Sequence, residues 1–254
     1  MSLLKSLCSA FLMYSRIPFP KVQWKEENRR FSFCFFPLIG AVIGICLILW
    51  FRICEMLKAG NIFFSVGCTV IPIAVTGGIH LDGFCDVNDA LASCAPREKM
   101  LEIMKDPNTG AFALIRLSVY LLIQTAVFSE TRNFNLLLIC SLCFIQSRAW
   151  SGLAAITFPN AKGYGSLQNF SEPAHKKITV VTEIIWLTFS ASAMIFVSPV
   201  SGAAAVVCGA VTFVYYYYFS KRKFGGITGD LAGWFLQVAE LSALTAAAIA
   251  NLIK

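Results

Sequence analysis

Two stretches of 21 residues, 31–51 and 59–79, contain no charged side chain, and a helix needs about 20 predominantly apolar residues to cross the hydrocarbon core of a bilayer. In that solvent every backbone N–H and C=O must be satisfied within the chain, which favours helices for the crossing. Further apolar stretches cover 110–129 (interrupted by Arg116), 134–158 (interrupted by Arg148), 178–197 (with Glu183 near its start), 200–219, and 231–253 (with Glu240). Composition agrees, since 57% of the residues are hydrophobic and 14% charged, against about 25% charged in soluble domains. The sequence therefore predicts an all-α, polytopic integral membrane helical bundle. It forms one domain over 1–254 with about seven spans, six to eight at the limits.

Residues 1–30 form an N-terminal arm. There SLLKSLCSAFLMYS runs into RIPFP and a charged segment with no small-residue cleavage site. The arm reads as an amphipathic helix on the membrane surface rather than a cleaved signal peptide. Most of the ten cysteines sit in apolar stretches, where a free thiol behaves as a small hydrophobe, so they are expected reduced and without zinc.

With seven spans, Lys5, Arg16, Lys21, Lys25, Arg29, Arg30, Arg97, Lys99, Lys105, Lys162, Lys176, Lys177, Lys221, Arg222 and Lys223 fall on one side, 15 in all. Arg52, Lys58, Arg132 and Lys254 fall on the other, only four. Cytoplasmic loops are the basic ones, which places the N-terminus and every glycine-punctuated polar loop in the cytoplasm. The net charge of +7 then reports orientation, and no nucleic-acid partner is expected. Membrane lipid is the surrounding partner. A homo-oligomer is compatible with the sequence, which leaves the oligomeric state open.

All five aspartates fall in three of those loops: Asp82, Asp86 and Asp89 in GGIHLDGFCDVNDAL, Asp106 in MKDPNTG, and Asp230 in GGITGD. On a helix, positions 82, 86 and 89 share one face, where like charges repel by roughly 0.2–0.5 kcal/mol per neighbouring pair. No Lys or Arg between residues 76 and 96 relieves them. A divalent cation would, and oxygen-only ligands point to Mg²⁺ or Mn²⁺. Gly77, Gly78 and Gly83 let backbone approach a ligand closely.

Phosphoryl transfer needs a metal, cations for the phosphates and a group to orient or deprotonate the nucleophile. Asp82, Asp86 and Asp89 are the candidate metal ligands. Lys105, Lys162 and Lys221 to Lys223 are candidate cations, and His80 is a candidate base. His80 lies about 200° from Asp82 on a helical wheel, so the two share a site only if HLDG turns before the helix begins. Gly225, Gly226, Thr228, Gly229 and Asp230 precede the last span and can present N–H groups to a phosphate at a helix N-terminus; Asp230 can equally cap that helix. Arg116 and Arg148 lie inside spans, where charges mark function or pairing. Glu240 can pair with either.

GGIHLDGFCDVNDAL, LEIMKDPNTGAFALI and FGGITGDLAG, with the weaker SRIPFP and FFPLIGAVIG, resemble in order and spacing the hallmarks of the cobalamin synthase (adenosylcobinamide-GDP ribazoletransferase) family. The resemblance covers nearly the whole chain. It implies a Mg²⁺-dependent enzyme of the bacterial inner membrane, acting late in cobamide (vitamin B12) assembly. Such an enzyme joins adenosylcobinamide-GDP to α-ribazole or its 5′-phosphate and releases GMP, the ribazole 3′-hydroxyl attacking the phosphorus attached to cobinamide. By position it implies metal and pyrophosphate roles for Asp82, Asp86 and Asp89. His80, Lys105, Asp106 and the loop from Gly225 to Asp230 support them. Arg148 and Lys162 are further phosphate-binding candidates from their charge, and His80, Asp82 and Lys105 are the catalytic candidates.

The chain departs from the family at Ala90, where a glycine is usual, at Pro107-Asn108-Thr109-Gly110, which replaces Ser-Arg-x-Gly, and at Lys162, where an arginine is usual. Two other readings fit clustered membrane-edge aspartates. A CDP-alcohol phosphotransferase would carry Asp-Gly-x-x-Ala-Arg in the acid cluster, whereas here Asp89 is followed by Ala-Leu-Ala-Ser. An ion-coupled transporter would place its acids at midplane on broken helices within repeats, and no repeat is evident.

Overall fold

The computed structural model describes residues 2–161 and 166–253. These form α1 (Ser2–Tyr14), α2 (Glu26–Arg29), α3 (Phe36–Met56), α4 (Asn61–Thr76), α5 (Ile79–Ala92), α6 (Arg97–Ile103), α7 (Ala111–Ser129), α8 (Phe134–Thr157), α9 (Ser166–Ser171), α10 (Lys176–Val197), α11 (Pro199–Phe224) and α12 (Gly229–Leu252). Extended pairing among the described residues is confined to one parallel bridge, Asn160 with Ile227.

Among the described residues, six helices are long and apolar enough to cross a membrane: α3 with its lead-in from Glu26, α7, α8, α10, α11 and α12. A seventh crossing needs α4 together with α5, which are bent by 95°. The charge-free stretch 59–79 thus does not make one straight helix. Gly77 and Gly78 take left-handed φ of 67° and 79°, a conformation glycine adopts at no steric cost and which ends a helix. The 16 residues of α4 rise only about 24 Å. The aspartate helix α5 then turns across the end of the bundle instead of continuing through it.

The bundle is organised around α8, whose faces meet α3, α10, α11 and α12. Glycine permits the closest approach: a Cβ at Gly40 of α3 would fall 2.2 Å from the Phe144 carbonyl of α8. Small residues at such crossings let backbones pack where lipid offers no hydrophobic contrast. Within this core Arg148 Nη1 donates to Glu240 Oε1 at 2.6 Å, with both side chains 1% exposed. It also donates to the Phe144 carbonyl and to Ser147 Oγ. The partner of Glu240 is therefore Arg148; Arg116 Nη1 donates instead to the backbone and side-chain oxygens of Asn88 on α5.

Contacts sort the loops into two ends. At one, Arg132 pairs with Glu55 and Asn61 Nδ2 donates to the Ser129 carbonyl. At the other, the Arg16 N–H donates to Val75 O, the His175 N–H to Arg30 O and the Ile227 N–H to Pro159 O. The aspartate stretches belong to this second end. α1 buries Ser6, Cys8, Ser9, Ala10 and Phe11 and exposes Leu3 and Leu4. All ten cysteines are free thiols.

Candidate active site

The site is made where α5 crosses the start of α12. Gly83 faces the Asp230 backbone so closely that a Cβ would lie 2.7 Å from its carbonyl oxygen, and Gly233 faces the His80 carbonyl at 3.0 Å. With no side chains in the way, the first turns of both helices border one cavity of about 240 Å³. Its walls include His80, Asp82, Asp230, Tyr14, Phe33 and Phe36. HLDG is not a turn ahead of the helix, as the wheel argument requires, but part of its first helical turn. His80 and Asp82 still share the cavity, with Ile79 and Gly83 of the same stretch beside them in its wall.

His80 is 5% exposed, and its Nε2 has no hydrogen-bond partner among the described residues. Burial pushes the imidazole down from 6.5 to about 3, with the positive charge of Arg148 acting in the same direction. The ring is therefore neutral, and the same burial and positive charge oppose its protonation.

The three aspartates of α5 are not equivalent. Asp82 is exposed at the cavity and Asp86 is half-buried one turn on. Asp89 accepts the N–H of Gly110 through Oδ2 and that of Ala113 through Oδ1. It thus caps α7, whose orphan N–H groups need acceptors. Among the described residues no three His, Cys, Asp or Glu side chains gather as a metal cage. The physical reason for Asp89 is the helix end beside it, which draws its carboxylate towards α7.

The remaining candidates divide. Asp106 is exposed and accepts the backbone N–H and side-chain amide of Asn108, which lower its pKa. Neither it nor the exposed Lys105 lines the cavity. Arg148 does not line it either; Glu240 holds that guanidinium inside the bundle. Lys162 lies outside the described residues. The chain just before it is tied to the glycine loop, since the Ala161 N–H donates to Ile227 O at 2.9 Å. A Cβ at Gly226 would stand 2.3 Å from the Pro159 carbonyl, so that pairing needs glycine. Thr228, not Asp230, caps α12: its Oγ1 accepts the Leu231 N–H at 3.2 Å. Asp230 and Gly229 instead form cavity wall. Lys221, Arg222 and Lys223 are exposed in the last turn of α11, where cations suit the helix dipole.

Two arginines outside the sequence-based set reach this end. The Arg97 guanidinium lies on Gly225, where a Cβ would be 2.0 Å from its Cζ, and the Arg16 side chain lies across Gly77. The SRIPFP motif pointed towards Arg16; nothing local distinguished Arg97.

Residues 6–248 match the family model described as Cobalamin-5-phosphate synthase. The chain belongs to that family. Proteins called adenosylcobinamide-GDP ribazoletransferase are its relatives. That of Lachnoclostridium phytofermentans is 42% identical over 251 residues, spanning 99% of this chain and 96% of the relative. Those of Clostridioides difficile and Syntrophobacter fumaroxidans are 32% and 31% identical, spanning 89% and 94% of this chain and 90% and 95% of the relatives. No solved structure matches. As a cobalamin-5-phosphate synthase family member the chain is a transferase of cobamide biosynthesis, which sets aside the phospholipid-enzyme and transporter readings.

Proposed function

We propose that this enzyme transfers the phosphocobinamide moiety of adenosylcobinamide-GDP to α-ribazole or α-ribazole 5′-phosphate, giving adenosylcobalamin or its 5′-phosphate and GMP. The relatives' names supply the substrates. The observation that carries the reading is the single cavity on which His80, Asp82 and Asp230 converge. The ribazole 3′-hydroxyl oxygen forms a bond to the phosphorus carrying cobinamide. The bond from that phosphorus to the bridging oxygen breaks, and GMP leaves with the electron pair. The hydroxyl proton passes to His80 Nε2, an acceptor on the cavity wall with no partner among the described residues; burial opposes its protonation, so the transfer needs the negative charge of the pyrophosphate and of Asp82 beside it. Orientation of the two reactants in a partly enclosed cavity replaces an encounter in water.

The donor set suits Mg²⁺, with Mn²⁺ the alternative. Such a cation keeps several waters and takes one or two carboxylates plus substrate oxygens rather than a protein cage. Asp82 and Asp86, one helical turn apart, would hold it, and it would supply charge neutralisation at the pyrophosphate. The same reading puts the enzyme in the bacterial cytoplasmic membrane with this end in the cytoplasm, on the side of the 15 basic residues. The test is an assay of membranes carrying the protein with adenosylcobinamide-GDP and α-ribazole, with and without EDTA. Cobalamin and GMP are expected in equal amounts and only with divalent metal. Well-expressed protein that yields neither overturns the reading.

A further inference from the structure

Asp82 borders two cavities rather than one. On the other flank of the first turn of α5 lies a second, of about 480 Å³, walled by Arg16, Gly77, Gly78, Leu81, Asp82 and Cys85. It shares only Met13, Ile79 and Asp82 with the aromatic-walled cavity. Arg16 is fixed at its rim: its N–H donates to Val75 O at 2.8 Å, pinning the residue to the α4–α5 bend. Its side chain occupies the space that a side chain at Gly77 would fill, since a Cβ there would be 2.3 Å from Arg16 Cγ and 2.5 Å from Nε. Beside it the bend is open, with nothing within 4 Å of a Cβ position at Gly78. Arg16 and Asp82 face the same cavity without forming an ion pair, and the guanidinium makes no hydrogen bond with the described residues.

The two cavities differ in what they can hold. The larger offers a planar, permanently charged fork suited to phosphoryl oxygens, next to a carboxylate suited to a metal that bridges phosphates. The smaller, at 240 Å³, is below the range of about 300–1,000 Å³ that takes drug-sized ligands, so it suits a small group. Its walls of Tyr14, Phe33 and Phe36 suit a flat bicyclic ring held by stacking. We propose that the substrates approach Asp82 from opposite flanks of α5, the diphosphate of adenosylcobinamide-GDP bound by Arg16 in the larger cavity and the aromatic base of ribazole seated in the smaller. This division rests on the reaction proposed above. It makes Arg16 a substrate-binding residue and places the phosphorus between the cavities, within reach of a nucleophile arriving from the His80 side.

The test is steady-state kinetics with each substrate varied in turn. Arg16→Gln removes the charge and the fork, and KM for adenosylcobinamide-GDP should rise about 10- to 100-fold while KM for α-ribazole stays put. Arg16→Lys, which keeps the charge and most of the stem, should fall between the two and melts with the wild type, separating lost binding from lost folding. Ala232→Leu, filling the smaller cavity from α12, should raise KM for α-ribazole and leave the donor's unchanged. If Arg16→Gln leaves the donor KM unchanged, or moves both constants together in a protein that melts normally, the division is wrong. If the wild type forms no product, the underlying reaction fails instead, and the two failures are distinct.

Discussion

At the scale of single residues, one helix face carries three aspartates with different jobs. Asp82 has a cavity before it, whereas both oxygens of Asp89 accept N–H groups of α7. Asp82→Ala should lose more than about 100-fold in turnover, the size of a lost metal contribution, with an unchanged melting temperature in detergent. Asp89→Ala should show the reverse balance: a lost cap costs about 0.5–2 kcal/mol, read as a melting temperature lower by a few degrees. Equal melting temperatures for the two variants would remove the cap. The Arg148–Glu240 pair lies deeper, where leaving one charge without its partner costs about 3–5 kcal/mol, while replacing both by apolar groups of similar volume is often neutral. Glu240→Leu should therefore melt far lower than Arg148→Met with Glu240→Leu. A double variant less stable than the single would show that the pair contributes net stability.

At the scale of elements, the break between α4 and α5 positions the site. Two successive left-handed residues turn the chain by 95°, and the turned helix then meets α12 across Gly83 and Gly233. The two bend glycines bear different loads. Gly78 has open space where a Cβ would go, so Gly78→Ala adds only the left-handed backbone penalty of about 1–2 kcal/mol. Gly77→Ala adds that and pushes aside the exposed Arg16 side chain, so it should melt near Gly78→Ala but raise KM for adenosylcobinamide-GDP. A donor KM left unchanged by Gly77→Ala would mean that Arg16 does not lie there. The glycine loop before α12 follows the same logic, with Gly226 making room for the Pro159 carbonyl and Thr228 closing the helix end.

For the whole molecule, the contacts gather the aspartate loops, the segment entering Lys162 and the glycine loop at one end of the bundle, opposite Glu55 and Arg132. In the orientation proposed above, that end faces the cytoplasm. Native Cys94 is exposed at this end, in the link between α5 and α6. An impermeant thiol reagent should modify it from the cytoplasmic face of inverted vesicles and not from outside intact cells. In a Cys94→Ser background, Lys58→Cys should label only from outside. Cys94 reacting from outside would invert the topology.

Much of the fold was legible in sequence. A hydrocarbon solvent demands long apolar runs, so the spans announced themselves by composition, and α8 and α12 lie within a few residues of the stretches 134–158 and 231–253. The stretch 59–79 ends in two glycines whose φ a hydropathy pattern does not register, so it runs as the shorter α4 and then bends into α5, the pair making at most one crossing. The order and spacing of the acidic and glycine motifs identified the family, because they record chemistry in a string of residue types. Tertiary structure alone decided who stands next to whom: that Asp89 belongs to α7, that Arg148 rather than Arg116 holds Glu240, that Thr228 caps α12, and that Arg16 reaches the bend. Each of these joins residues brought together by packing, often where a glycine lacks a side chain. Local sequence sets the period of a helix and the polarity of its faces, but the crossing of α5 over α12 is set by where two chains of atoms can come closest.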